Sequence, residues 1–416
     1  MSRTGKGSLL VIFLTVFIDL LGFGIVLPLL PRYGRQFEAT GLTLGLLMAS
    51  FSAMQTVFAP IWGRLSDRVG RRPILILGLA GSTFFYLLFG WATSLGTEGS
   101  LLGQGALFWL FVTRIGAGIA GATIPTAQAY IADSTGPSER ARGMALVGAA
   151  FGVGFTFGPL LGAAFVSDDP TAAPSALAGY VASGLSGLAL LSAIFLRPES
   201  LQPDATPRAM RWFDAAGFVQ AVSRPAVGLI LFTMFLTTFA FAQFESTLSL
   251  LTATLGLSDR HNFYVFAYIG VVLTISQGVL VRRLVPRVGE YRMSLAGALL
   301  MVAGLGLIAL AGRQQNLALL YSVLPVSVVG VSALTPSLQS LLSLRSAATE
   351  QGRILGIGQS MAALARIFGP LSGNILYARS FTSPYWGGAL LMAIGVGFVW
   401  LLKGSAQQAA SPSTAD

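Results

Sequence analysis

Twelve mostly apolar stretches run along the chain, at approximately 8–31, 43–63, 73–95, 105–131, 143–166, 175–196, 226–250, 262–281, 292–312, 316–343, 354–377 and 384–402. Each approaches or exceeds the roughly 20 residues that a helix needs to cross about 30 Å of hydrocarbon. Most are too long and too uncharged to be core helices of a soluble domain, so the pattern predicts twelve membrane-spanning helices. The first stretch is longer than the apolar part of a cleaved signal peptide, and eleven more follow it. The longest polar segment, 197–224, holds Pro198, Pro203 and Pro207 among charged residues and predicts a linker between two halves. Within it, Trp212, Phe213, Phe218 and Val219 can share one side of a short surface helix over 211–222. The expected organisation is a six-helix bundle over 1–196, a cytoplasmic linker over 197–224, a second six-helix bundle over 225–403 and a disordered Ala/Gln/Ser-rich tail over 404–416.

Charge then orients the spans. Of 26 Lys and Arg residues, 19 fall on the side that carries both termini, five on the other side, and two, Arg114 and Arg366, inside spans. The excess marks the cytoplasmic side. The net charge of +10 is therefore a topology signal rather than a nucleic-acid footprint. With 54% hydrophobic and 10% charged residues, against about 25% charged in an average soluble domain, the composition excludes a soluble enzyme. The chain has no Cys and one His, His261, read as a solvated loop residue, so thiol chemistry and Cys- or His-rich metal sites are excluded. No nucleophile–base pair and no phosphate-binding Gly-Lys-Ser/Thr loop is present, which argues against an enzyme and against an ATP-driven pump.

The two halves repeat. Phe157-Gly158-Pro159-Leu160-Leu161-Gly162 matches Phe368-Gly369-Pro370-Leu371-Ser372-Gly373 at an offset of 211, and the same offset carries Pro125, Gln128 and Arg142 onto Pro336, Gln339 and Arg353. Leu65-Ser66-Asp67-Arg68-Val69-Gly70 matches Leu284-Val285-Pro286-Arg287-Val288-Gly289 more weakly, at an offset of 219. The difference calls for an insertion in the first half, where the loop 96–104 is longer than its counterpart. Parallel six-helix repeats are the pattern of a transporter with a midplane site.

Four segments carry a family resemblance. Gly63-Arg64-Leu65-Ser66-Asp67-Arg68-Val69-Gly70-Arg71-Arg72-Pro73 resembles the signature loop between helices two and three of the major facilitator superfamily. Arg114-Ile115-Gly116-Ala117-Gly118 is similar to its fourth-helix motif. Gly154 through Gly162 resembles the fifth-helix motif of its antiporters, and Asp19 through Pro28 the first-helix motif of its 12-helix drug/proton antiporters. Tetracycline and multidrug exchangers look most similar. The resemblance implies an all-α membrane protein of twelve helices in two pseudo-symmetric six-helix bundles. It implies a conformational latch at Gly63, Asp67, Arg68, Gly70, Arg71 and Asp133, and an antiporter hinge at Gly154, Gly158, Pro159 and Gly162. The chain departs from it at Ala163 and Pro286, and by lacking acids in spans three and nine.

Four ionisable residues sit inside spans: Asp19, Arg114, Glu245 and Arg366. Each costs about 2.5–3.5 kcal/mol at a helix centre, so they must face water or one another. Asp19 and Glu245 are the expected proton-coupling carboxylates, with Arg114 beside the proton site. Gln128, Gln243, Glu245, Gln339, Arg366 and Asn374 are the expected substrate-cavity residues, and a carboxylate at Glu245 favours cationic compounds. The expected protein is a monomeric secondary transporter in a bacterial inner membrane, with no cofactor beyond the proton, exchanging protons for an exported small organic compound. Proton-coupled uptake of a sugar or organic acid, and lipid handling, are the alternatives.

Overall fold

The computed structural model describes residues 3–134, 140–169, 172–196, 215–346 and 350–408, without the side chains of 3–16, 19, 132, 134, 140–149, 151, 196, 215–217, 352 and 404–408. Among these residues the chain is almost wholly helical, as lipid demands when no water is present to satisfy backbone groups. The order is α1 (Arg3–Gln36), α2 (Gly41–Val69), α3 (Arg71–Ser94), strands β1 (Ser100–Leu101) and β2 (Gln104–Gly105), α4 (Ala106–Ala120), α5 (Ile124–Ser134), α6 (Arg140–Gly162), α7 (Ala176–Leu196) and α8 (Ala215–Ser223). Then come α9 (Pro225–Thr254), α10 (Asp259–Ile275), α11 (Arg282–Val288), α12 (Glu290–Arg313), α13 (Leu317–Leu344), α14 (Gln351–Arg379) and α15 (Ser383–Gln408). A π-helical turn, Ser276–Val281, joins α10 to α11.

Ten of these stretches are long and apolar enough to cross a membrane, counting α4 with α5 and α10 with α11 as single spans. The 34-residue α1 and 23-residue α6 supply the other two of the twelve expected spans. The loop anticipated as an insertion is a hairpin, with Ser100 paired to Gly105 and Leu101 to Gln104. Its turn residues Leu102 and Gly103 both have positive φ, 52° and 73°, the hand that matches strand twist. The short helix expected over 211–222 is α8; residues 197–214 of the linker lie outside the described residues. The tail begins later than expected, because α15 continues to Gln408; residues 409–416 lie outside the described residues.

The chain divides into two compact units. Unit 1 is Met1–Met210 with Thr252–Gly270, and unit 2 is Arg211–Leu251 with Val271–Asp416. The expected boundary near 225 is thus crossed once, by residues 252–270, which pack with the first unit.

In unit 1, α6 crosses α1 where neither helix has a side chain. A Cβ at Gly158 would stand 2.9 Å from Gly24 Cα and 3.0 Å from the Leu21 carbonyl oxygen. Small residues allow such approach, and packing rather than hydrophobicity holds helices together in lipid. In unit 2, the same crossing recurs at the repeat offset. A Cβ at Gly369 of α14 would stand 2.8 Å from the Phe239 carbonyl oxygen of α9. The second repeat is equally visible in the backbone. Gly70 (φ 105°, ψ 155°) joins α2 to α3, and Gly289 (φ 86°, ψ 153°) joins α11 to α12. This is a conformation essentially reserved for glycine. Many hydroxyls within spans are spent locally, as Thr83 donates to the Leu79 carbonyl and Ser332 to the Val328 carbonyl, although Thr126, Ser294, Ser327 and Ser337 are buried with no partner among the described residues.

Candidate functional site

The polar chemistry of unit 1 collects at three levels. At the end bearing the signature loop, α2 extends to Val69, so Asp67 and Arg71 lie four residues apart across Gly70 and form an ion pair. Arg71, which is buried, also donates from Nε to Asp133 Oδ2 at 3.1 Å and from Nη1 to Ser66 Oγ at 2.8 Å. Asp67, Arg71 and Asp133 are therefore one network. Arg68 stands apart from it, exposed beside Arg64, Ile61 and Leu65. Gly63 does not form a tight helix end: it lies inside α2, and a Cβ there would meet nothing within 4 Å.

At mid-depth, Arg114 is buried on α4, 3% exposed, with its guanidinium carbon 4.4 Å from the centre of the Phe51 ring. Its Nε and Nη1 make no hydrogen bond among the described residues. The ring face offsets part of the cost of burying the charge. Asp19 is on α1, but its side chain lies outside the described residues. Gln128 is exposed on α5.

The hinge residues of α6 are described in full. Gly154 and Gly158 meet α1, as a Cβ at Gly154 would stand 2.8 Å from Leu20 Cβ, and Pro159 is buried between them and Gly162. Gly162 faces the Phe263 ring of α10, where a Cβ would stand 2.6 Å from Cε1.

The third level escaped the sequence. Arg32, read there only as an outer-side topology charge, is 7% exposed. It donates to the Leu257 carbonyl at 2.9 Å, Asp259 Oδ1 at 2.8 Å and Thr252 Oγ1 at 3.0 Å. Thr252 donates to Asn262 Oδ1 at 2.7 Å, and Asn262 Nδ2 donates to the Pro28 carbonyl at 3.2 Å. Arg260 donates to the Ala163 and Val166 carbonyls just past α6 and pairs with Asp168 at 2.7 Å. It thereby satisfies carbonyls left open by the helix end. Residues 252–262 are thus bound to the outer ends of α1 and α6 by side-chain bonds to backbone as well as by charge.

Unit 2 holds a small open pocket of about 90 Å³ lined by Met234, Thr237 and Thr238 of α9, Thr335, Leu338 and Gln339 of α13, and Gln359, Ala362 and Arg366 of α14. On each helix the spacing is three or four residues, one face of a helix. That volume has room for an acid group or a few waters and is below the roughly 300–1,000 Å³ of a site that encloses a whole drug-sized molecule. Of the expected cavity residues, Gln339 and Arg366 line it. Gln243 and Asn374 do not: both are 1% exposed, and Asn374 Nδ2 donates to the Pro370 carbonyl at 2.8 Å. Glu245 is half-buried on α9 and is the electrostatic partner of Arg366. Thr237, Thr238, Thr335 and Gln359 were missed. Paired threonines in an apolar span were the available signal.

Among the described residues no group of His, Cys, Asp or Glu could hold a metal ion. What the two units present is a small open pocket and charge networks on helices long and apolar enough to cross a membrane.

Comparison with known proteins agrees. The profile of the Major Facilitator Superfamily matches residues 12–370. Multidrug resistance protein 2 of Bacillus subtilis is 26% identical over 411 residues, 98% of each chain. The class C tetracycline resistance protein of Escherichia coli is 31% identical over 394 residues, 92% of each. Among solved structures, a human organic anion transporter superposes with a TM-score of 0.68 at 27% identity, covering 96% of this chain and all of the other. The chain is an integral multi-pass membrane transporter, not an enzyme, and it belongs to the Major Facilitator Superfamily.

Proposed function

We propose that this transporter exports a small amphipathic organic compound in exchange for protons, by alternating access, from a bacterial inner membrane with both termini cytoplasmic. The α1–α6 crossing carries the reading. The glycines of the antiporter-like segment, Gly154 and Gly158, are the residues that let α6 lie against the backbone of α1 on either side of Gly24. Asp19 sits on α1 as well, five residues from Gly24, about one and a half turns. The full-length relatives named for tetracycline and multidrug resistance support export of a drug-like compound.

In this reading Asp19 is the coupling carboxylate. Protonated, it is neutral and tolerable in low dielectric; ionised, it needs water or a cation, and Arg114 is the basic residue inside another span of unit 1. Glu245 is the second coupling candidate. Substrate and proton then exclude one another without touching. The Asp67–Arg71–Asp133 network holds one conformational state of the cytoplasmic end.

The test is transport in liposomes. Purified protein with an imposed pH gradient is expected to drive dye flux, and substrate is expected to release protons from detergent-solubilised protein. Asp19→Asn is expected to keep dye binding and lose both proton release and gradient-driven flux. Full flux and full proton release in Asp19→Asn would overturn the coupling assignment.

A further inference from the structure

The unit 2 cavity combines two features that a merely structural arginine would not show. Arg366 lies 13 residues into α14 from Arg353, about 20 Å along the helix and near the middle of its span. A cation at that depth normally sits in an ion pair or a water-filled space. Arg366 makes no hydrogen bond and no close ion pair among the described residues; Glu245 acts on it only through space. Although enclosed by protein, Arg366 remains open to water-sized solvent, as a cavity wall must.

The second feature is the set of unspent groups around it. Thr237 uses its hydroxyl on the Thr233 carbonyl at 2.7 Å, the usual local solution. Thr238, Thr335, Gln339 and Gln359 do not: none hydrogen-bonds to another described residue. Two hydroxyls, two carboxamides and a guanidinium therefore face one cavity without a hydrogen bond to any described residue. No carboxylate lines it, while Met234, Leu338 and Ala362 give it an apolar wall. Polar groups left open at membrane depth cost free energy unless a ligand or water meets them.

We propose that this cavity is an anion subsite: the carboxylate or sulfonate of an amphipathic organic anion sits on Arg366, with Thr238, Thr335, Gln339 and Gln359 as further donors and its apolar body against Met234, Leu338 and Ala362. A planar guanidinium suits a two-oxygen acid group, which can accept two parallel hydrogen bonds. The inference rests on the exporter reading but reverses the preference that Glu245 alone implies. Glu245 is seven residues from Thr238 along α9, about 10 Å, and balances the arginine from outside the cavity.

Two xanthene dyes of similar skeleton and opposite charge test it: fluorescein, an anionic carboxylate, and rhodamine 6G, a cation. Binding is measured by fluorescence polarisation with the purified full chain in detergent, without a pH gradient. Wild type is expected to bind fluorescein saturably and more tightly than rhodamine 6G. Arg366→Gln, which removes a costly charge and is expected to fold, should weaken fluorescein binding about 10- to 100-fold, the worth of a charge-assisted hydrogen bond. Rhodamine 6G binding should be unchanged or tighter. Arg366→Lys should recover part of the fluorescein affinity, and Thr335→Val with Gln339→Leu should weaken it without touching the charge. Absence of saturable fluorescein binding, or equal affinity in wild type and Arg366→Gln, overturns the subsite. Arg366-dependent binding without proton-driven flux in liposomes leaves the subsite standing and removes the exporter reading instead.

Discussion

Replacing Gly158 by Ala puts one methyl group into the α1–α6 crossing. It would stand 2.9 Å from Gly24 Cα, 3.0 Å from the Leu21 carbonyl oxygen and 3.2 Å from the Gly24 carbonyl carbon. Carbon atoms rest at roughly 3.5–4.0 Å, so the helices must separate by about 0.5–1 Å. All three neighbours are backbone, and no side-chain rotation relieves the clash. Overpacking of this kind costs about 1–3 kcal/mol, from which roughly 0.5–1 kcal/mol of better helix propensity is recovered. The expected net loss is about 1–2 kcal/mol, read from reversible SDS unfolding in mixed micelles. Gly184→Ala on α7 is the control, because a Cβ there meets nothing within 4 Å, and it should be neutral or stabilising. A Cβ at Gly24 would meet the Gly154 carbonyl at 3.1 Å and Gly158 Cα at 3.2 Å, so one widening accommodates both methyls. Gly24→Ala with Gly158→Ala should therefore cost less than the sum of the singles. Gly158→Ala as stable as the parent, with Gly184→Ala behaving likewise, would refute the close-crossing argument.

Two further expectations concern the helix ends at Gly70 and around Arg224. Gly70→Ala forces a side chain into a backbone region (φ 105°) essentially closed to it and should cost about 1–3 kcal/mol, while Gly63→Ala, open on all sides and inside α2, should gain roughly 0.5–1 kcal/mol; equal effects on SDS unfolding would sink the distinction. In unit 2, Arg224 Nη1 donates to Glu350 Oε2 at 2.6 Å, and this bond, with the charges of Arg224 and Arg353, holds the Glu350 carboxyl below the usual carboxylate range. A lowered carboxylate contributes above its unfolded value, about 4.3, and its contribution is lost as pH falls through the folded value. Hydrogen exchange around 218–224 and 350–356, corrected for intrinsic rates, should therefore speed up below about pH 4 in the parent, and Arg224→Gln should reduce that pH dependence, leaving the part due to Arg353, which pairs with Glu350 at 2.9 Å.

Much of the fold was legible because lipid imposes one demand on every span. Apolar length alone placed the helices, and a glycine-proline repeat at one offset marked α6 and α14 as corresponding helices, while their partners at the close crossings, α1 and α9, came only from the structure. Local charge was legible too. Asp67 and Arg71 are four residues apart, and Asp133 is on the same side of the membrane by topology. Arg32 was not legible, since its partners lie 220 to 227 residues away and an outer-side arginine looks the same whether solvated or buried. Nor could the sequence separate Gln339, which lines the cavity, from Gln243 and Asn374, which are packed away. A polar residue in a span needs a partner in either case, and composition does not say whether that partner is protein or solute.

The threonines and the two arginines inside spans make the same point in terms of energy. A threonine in a helix ordinarily discharges its hydroxyl onto a carbonyl one turn back, as Thr233, Thr237 and Thr156 do at 2.7–3.0 Å. Only the exceptions carry information, and Thr238 and Thr335 become exceptions only once their surroundings are known. Arg114 and Arg366 are alike in the sequence, each a lone cation in an apolar span. One rests on the face of Phe51 in closed protein. The other stands in a cavity wall beside free hydroxyl and amide donors. The same insertion cost is thus met by two different surroundings, an aromatic face for the first arginine and an open pocket for the second, and the coupling and anion-subsite proposals follow that difference.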